Sequence, residues 1–256
     1  MADTDDLPYV LVLTPMKDSA RFLPRYAELL ERLDWPRERL SIGILEGDSR
    51  DGTAERLAGL RPRLEGRARR LTLLSRDFGF RMPAGVPRWA PAFQLARRTV
   101  LARARNHLLF RALDDEDWVL WIDADLADYP ADVLRRLIGS GHDLVMPRCV
   151  VTPGGRAFDA NAWGAKGAVD FNHTGGQSRI RLDSMGGTML LVKADLHRDG
   201  LVFPCFRYGV ESPRIRDRHP VWGKGEVETE GLGIMATDMG VQGWGLCDLE
   251  IVHGAD

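Results

Sequence analysis

The sequence predicts an α/β fold, a mixed and mostly parallel sheet flanked by helices, formed as one domain over residues 1–256. Three observations carry this. Apolar runs at 9–13, 40–45 and 71–74 alternate with segments of helical spacing, the β-α-β-α-β order of a parallel sheet covered by helices. The five apolar residues 118–122 read as a short buried strand that runs straight into Asp123-Ala-Asp125. A chain of 256 residues, 44% hydrophobic and 28% charged, is long enough to bury a substantial core.

Composition removes several functional classes. A net charge of −2 gives no electrostatic case for nucleic acid. No apolar stretch reaches the ~20 residues of a membrane helix, which leaves only peripheral membrane contact open. Cys149, Cys205 and Cys247 are odd in number and widely spaced, which fits a reducing compartment rather than a disulfide framework or thiolate zinc site. The acidic start, Met1-Ala-Asp-Thr-Asp-Asp6, has no apolar run and so is not read as a signal peptide. The expected location is cytoplasmic.

The first strand, 9–13, is expected to end at Thr14-Pro15, with Lys17 just beyond. Helical spacing follows over 21–33 through Leu23, Tyr26, Leu29, Leu30 and Leu33. The second strand, 40–45, runs into the polar turn Glu46-Gly-Asp48-Ser-Arg-Asp51-Gly-Thr53, where Asp51 or Thr53 is placed to cap a helix over 54–60. A third strand at 71–74 leads into a loop at 76–91 and a long helix at 92–113. On that helix Leu95, Ala102, Leu109 and Leu113 lie to one side of Arg98 and Arg105, and Leu101, Leu108 and Ala112 to the other. Two arginines therefore sit in the middle of the apolar stripe, with Arg97, Arg103 and Arg111 off its centre. A guanidinium keeps its charge, so each needs a carboxylate or phosphate partner. An internal ion pair with a strand-end Asp and a bound diphosphate both fit.

The 118–122 strand leads directly into the acidic pair. Side chains alternate along a strand, so Asp123 and Asp125 are expected on one side at its carboxyl end, where open α/β sheets bind ligands. Two carboxylates there suit a hard divalent cation or simple solvation. A short helix at 130–138 and a strand at 143–146 stopping at Pro147 follow. The stretch 151–181 reads as a long polar loop in which Phe158-Asp159-Ala-Asn161-Ala-Trp163 mixes aromatic rings with hydrogen-bonding groups, a mix suited to stacking on a sugar. Asp183-Ser-Met-Gly186-Gly187-Thr188 leads into a strand at 189–192, its glycines serving a turn or a close approach to ligand. After an irregular segment at 202–225, Glu226-Val-Glu228-Thr-Glu230 opens a helix to about 239, its acids suiting the helix dipole. Short apolar runs at 241–246 and 249–253 end the chain.

Together these segments resemble the Anp1/Mnn9/Van1 mannosyltransferase family, whose members adopt the GT-A nucleotide-sugar transferase fold. The resemblance rests on Leu101-Ala-Arg103-Ala-Arg105-Asn106, residues 118–130, Gly186-Gly187-Thr188 with Leu191-Val-Lys193-Ala-Asp195, and Glu228-Thr-Glu230-Gly231 with Asp238-Met239-Gly240 and Trp244-Gly245-Leu246. It implies that Asp123-Ala-Asp125 is the metal and nucleotide-sugar motif, with Asp125 on Mn²⁺ (or Mg²⁺) and Asp123 on the ribose or sharing the metal. His253 matches a late histidine that adds a metal ligand. Glu46 and Asp48 take the base-contacting position at the second strand end. The implied donor is GDP-mannose, and the implied transfer retains the anomeric configuration.

From this follow the expected roles. Arg98 and Arg105 serve the diphosphate, with Lys17 a weaker candidate. Asp159 or Asp183 serves the sugar face, and Glu228 or Glu230 the acceptor hydroxyl. Thr14, Pro15, Arg103, Gly186 and Gly187 line the donor site. The partners are a nucleotide sugar and a glycan or other hydroxyl acceptor. The family's membrane-anchored complexes and polymannan acceptor are not carried over. Three other readings stay open: an inverting transferase using another nucleotide sugar, a nucleotidyltransferase, and a non-catalytic sugar binder.

Overall fold

The computed structural model describes residues 6–87, 90–158, 161–164, 167–169, 171, 173–210 and 225–254. Eight strands form one sheet. In chain order they are β1 (Val10–Met16), β2 (Leu40–Glu46), β3 (Arg70–Ser75), β4 (Trp118–Ile122), β5 (Leu144–Val150), β8 (Arg179–Leu182), β9 (Met189–Lys193) and β10 (Gly243–Val252). A separate two-stranded ribbon consists of β6 (Trp163–Gly164) and β7 (Gly167–Ala168). The spatial order in the large sheet is β3-β2-β1-β4-β9-β5-β10-β8. Strands β3, β2, β1 and β4 are mutually parallel, and β5 is parallel to β10. The mixed character comes from β9, antiparallel to both β4 and β5, and from the antiparallel edge strand β8.

Helices α1 (Leu23–Arg32), α2 (Thr53–Arg67) and α3 (Pro91–Ala112) are the crossovers between the parallel strands. Both faces of the sheet are covered, so its strands are apolar at successive positions rather than alternating with polar residues. Val10 and Val12 of β1, with Leu120 and Ile122 of β4, pack in a core with Leu23, Tyr26 and Leu30 of α1 and Leu57 of α2. Leu11, Leu13, Val119 and Trp121 face the other way, into a core with Ala102, Leu108 and Leu109 of α3. That second core also takes in Leu232 and Ala236 of α6 (Glu228–Asp238).

Several boundaries differ from the expectations. Pro15 and Pro147 do not stop their strands: β1 runs to Met16 and β5 to Val150. In each case the neighbour on one side has already ended. The β1–β4 ladder stops at Leu13 and the β5–β9 ladder at Val145, so neither proline interrupts a ladder on that side. Helix α2 continues past Pro62 because that turn, including Ala58 whose carbonyl loses its partner, faces solvent. The runs at 241–246 and 249–253 form one strand, β10, whose register against β5 shifts between Leu246 and Glu250. The stretch read as a loop at 151–181 contains β6, β7 and the start of β8, and a short helix α5 (Ala194–Arg198) follows β9 unannounced. The remaining helix, α4 (Val133–Gly139), starts three residues later than expected.

Candidate active site

The carboxyl ends of β1, β2 and β4 open on one cavity of about 340 Å³ against α3. Its walls include Pro15, Lys17, Asp48 and Asp125 from the strand ends, Phe78 and Phe80 from the loop after β3, and Arg97 from α3. This is the ligand-binding end of a parallel sheet.

The two aspartates after β4 do not share one side. The strand ends at Ile122 and the chain turns at Ala124 and Asp125, so strand alternation no longer applies. Asp123 reaches toward α3, where its Oδ1 accepts from Arg105 Nη2 at 3.2 Å. Asp125 turns the other way, and its Oδ2 lies 3.2 Å from His253 Nε2. Backbone pairing brings His253 there: Val252 N–H donates to Asp128 O at 2.8 Å, and Ala127 and Asp128 N–H both donate back to Val252 O. The imidazole is stacked on Phe158, with ring centroids 3.5 Å apart and planes 12° from parallel, while Nδ1 sits 3.3 Å from Gly254 O. Burial disfavours a charge on this ring, but the Asp125 carboxylate more than offsets it and raises the His253 pKa above the usual imidazole value.

This pair fits a divalent cation. Two adjacent ligands on an octahedral ion with bonds of about 2.1 Å stand about 3 Å apart, close to the separation observed. A bond from Nδ1–H to the Gly254 carbonyl leaves Nε2 as the ligating nitrogen. Among the described residues no three His, Cys, Asp or Glu side chains converge as a preformed cluster. Asp123, expected to share the metal, is directed at Arg105 instead.

Arg98 and Arg105 lie in the middle of the buried stripe of α3, 6% and 1% exposed. Their partners are protein groups. Arg98 Nη1 donates to Glu230 Oε2 at 2.6 Å and Nη2 to Val227 O at 2.7 Å, pinning the start of α6. Arg105 Nε lies 2.9 Å from Glu228 Oε1, and Nη2 also donates to Gly187 O at 3.2 Å. Gly187 is a glycine for this reason: a Cβ there would stand 2.9 Å from Thr229 Cγ2 and 3.0 Å from Arg105 Nη2. Burial, and then the adjacent Glu230 carboxylate, push the Glu226 carboxyl up to about 9. Glu226 is therefore neutral at pH 7, which lowers the negative charge collected around the two arginines.

The other expected residues divide between the cavity and the scaffold. Lys17 lines the cavity, its Nζ donating to Phe80 O at 2.7 Å. Asp48, in a left-handed conformation at φ 66°, lines it too. Its Oδ1 accepts from Phe78 N–H at 2.9 Å and pairs with Arg81 at 2.6 Å. Glu46 closes the turn beside it instead, accepting from Ser49 N–H and from the Ser75 hydroxyl. The Thr14 hydroxyl faces away from the cavity and accepts from Tyr26 at 2.8 Å. Arg103 is exposed on the outer side of α3 and does not line the cavity. Glu230 is buried against Arg98, which does not leave its carboxylate open to an acceptor. Asp183 is half-buried beside Trp163, whose carbonyl accepts its N–H at 2.6 Å. Gly186 N–H points at Met146 Sδ, 3.2 Å away. Asp159 lies outside the described residues.

Arg97, Phe78 and Phe80 were not expected at the cavity. Arg97, Leu101 and Ala104 follow i, i+4, i+7 spacing, so a second stripe on α3 was present in the sequence beside the stronger buried one.

A mixed sheet covered on both faces, with a cavity at the carboxyl ends of its parallel strands, is the GT-A fold. Solved structures show the same fold. A mannosyltransferase from Pyrobaculum calidifontis, determined with GDP-Man and Mn²⁺, matches with a TM-score of 0.61 at 18% identity, over 98% of this chain and 58% of that one. S. aureus TarS 1–349 in complex with UDP matches with a TM-score of 0.57 at 13% identity, over 97% of this chain and 61% of that one. The chain thus spans about three fifths of these structures.

The chain belongs to the Anp1 family, whose model matches residues 2–170 and 166–207. Its relatives include the mannan polymerase complex subunit MNN9 of Candida albicans, 28% identical over 95% of this chain and 74% of that protein. The mnn9 subunit of Schizosaccharomyces pombe is 29% identical over 78% of this chain and 70% of that protein. The chain is thus an Anp1-family protein with the GT-A fold. Among the described residues no helix is long and apolar enough to cross a membrane.

Proposed function

We propose that the chain is a divalent-cation-dependent mannosyltransferase that takes its sugar from GDP-mannose and passes it, with retention, to a hydroxyl of a glycan or similar acceptor. One observation carries this reading: Asp125, at the wall of the cavity at the strand ends, is paired with the buried His253 behind it. Names among the relatives and structural neighbours, mannan polymerase subunit and mannosyltransferase with GDP-Man and Mn²⁺, support the choice of sugar, base and metal.

Asp125 and His253 would hold Mn²⁺ or Mg²⁺, which as a Lewis acid stabilises the charge that builds on the diphosphate as the sugar departs. Lys17 and Arg97 place positive charge on the same cavity, suited to the diphosphate oxygens. Phe78 and Phe80 supply the apolar wall on the side of β2 and β3. Asp123, held by Arg105, keeps a partly exposed carboxylate at the end of β4, suited to ribose hydroxyls. Asp183 remains the candidate for the sugar face. Arg98 and Arg105 act on the protein rather than on the phosphates, because each is paired with a buried carboxylate and neither lines the cavity. Front-face transfer with retention can use the leaving phosphate to accept the acceptor proton, so no side chain is assigned as base.

Turnover of GDP-mannose with a panel of mannosides, followed by NMR of the product anomer, tests the proposal. The expected result is an α-linked product formed with Mn²⁺ and absent in EDTA. A β-linked product, or turnover of UDP-sugars alone, contradicts it.

A further inference from the structure

Glu228 combines three features that a routine helix-start glutamate lacks. Its backbone is left-handed at φ 60°, a conformation disfavoured for any residue with a Cβ. Its side chain is buried, at 3% residue exposure. Its carboxylate stands between two arginines of one helix: Oε1 is 2.9 Å from Arg105 Nε, and Oε2 is 3.8 Å from Arg98 Nε. Arg98 and Arg105 are two helical turns apart on the same side of α3, and the Glu228 carboxylate lies between them. The Thr229 hydroxyl donates to Oε2 at 3.0 Å and fixes the orientation further.

The other end of Arg105 explains what the bridge does. Its Nη2 is shared between Asp123 Oδ1 and the Gly187 carbonyl, both at 3.2 Å. Asp123 is the first residue after β4, and its own N–H is tied to Thr188 O at 2.9 Å. The guanidinium thus joins three segments distant in the chain: the start of α6, the end of β4 and the turn before β9. Without Glu228, Arg105 would be a buried cation left with the Asp123 carboxylate, and it would draw Asp123 further toward α3.

We propose that Glu228 is a positioning residue: by holding Arg105 it sets where the Asp123 carboxylate stands at the donor-facing end of β4. The inference rests on reading that end as the donor site. The strained backbone at Glu228 is kept because the residue must start α6 and also reach both arginines. Glu228 itself does not touch the donor.

The test uses the full chain and compares Glu228→Gln, Glu228→Asn and Asp123→Asn singly, with Glu228→Gln/Asp123→Asn as the double variant. Asparagine tolerates the left-handed backbone better than most residues, so it keeps the comparison usable if Gln fails to fold. The readouts are Mn²⁺-dependent GDP affinity by calorimetry and thermal midpoint. Glu228→Gln and Glu228→Asn should each weaken GDP binding about 10- to 100-fold, the range for groups that orient a ligand-binding residue. The double variant should bind no more weakly than Asp123→Asn alone, because Glu228 acts through Asp123. Wild-type affinity in folded Glu228 variants, or losses that simply add in the double variant, overturns the proposal. A wild-type chain that binds neither GDP nor UDP with Mn²⁺ overturns the donor-site reading and the proposal together.

Discussion

Asp125 Oδ2 and His253 Nε2 meet at 3.2 Å although half the chain separates them. The contact exists because the segment leaving β4 pairs with the end of β10, through Asp128 and Val252. Asp125→Ala should remove Mn²⁺-dependent GDP binding, with a loss on the order of 100-fold or more, and leave the fold intact because Asp125 is not a core packing group. Unchanged Mn²⁺-dependent affinity in the folded variant would sink the metal assignment.

Arg105 is the most deeply buried charged group of the site, and its removal strands Glu228. Arg105→Ala should cost roughly 3–5 kcal/mol in urea denaturation. Arg103→Ala, two positions away on the exposed side of α3, should stay within about 0.5 kcal/mol of wild type. Equal stabilities for the two variants would mean that the helix face is wrongly assigned.

The position of Gly187 depends on the same arginine. A Cβ at 187 meets Thr229 and Arg105 at about 3 Å, so Gly187→Ala should destabilise by about 1–3 kcal/mol, as overpacking does. In an Arg105→Met background the same substitution should cost less than it does in the wild-type chain, since one of the two crowding atoms is then gone. A Gly187→Ala chain as stable as wild type contradicts the packing described.

Glu226 makes stability depend on pH. Its folded-state pKa is raised from the ordinary 4.5 to about 9, so the native state holds a proton that the unfolded chain releases. The contribution is complete below pH 4.5 and is lost as pH rises through 9, so stability falls with pH across that window. Glu226→Gln keeps the neutral form at all pH values. Urea midpoints measured from pH 6 to 9 should therefore fall more steeply for wild type than for Glu226→Gln, and parallel curves would contradict the assignment.

Much of this architecture was legible because it depends on local pattern. The run at 118–122 is apolar throughout, as a central strand covered on both faces must be, and Arg98 and Arg105 announced their burial by falling inside an apolar stripe. What sequence could not supply was the pairing of segments. Strand alternation placed Asp123 and Asp125 together, yet a turn at Ala124 sends them to different partners. Prolines 15 and 147 looked like strand ends because nothing local reveals that a neighbouring ladder has already stopped. Cys247 and Asp248 split β10 into two apparent runs because a register shift absorbs them. Thr14 and Glu46 lie at the right strand ends, but their side chains serve Tyr26, and Ser49 and Ser75 beside the end of β2.

The most direct test of the central claim is calorimetric titration of GDP and of UDP, each with Mn²⁺ and with EDTA. GDP should bind only in the presence of Mn²⁺, and more tightly than UDP. A preference for UDP would overturn the proposed donor while leaving the fold in place. Binding of GDP that is indifferent to EDTA would contradict the role given to Asp125 and His253.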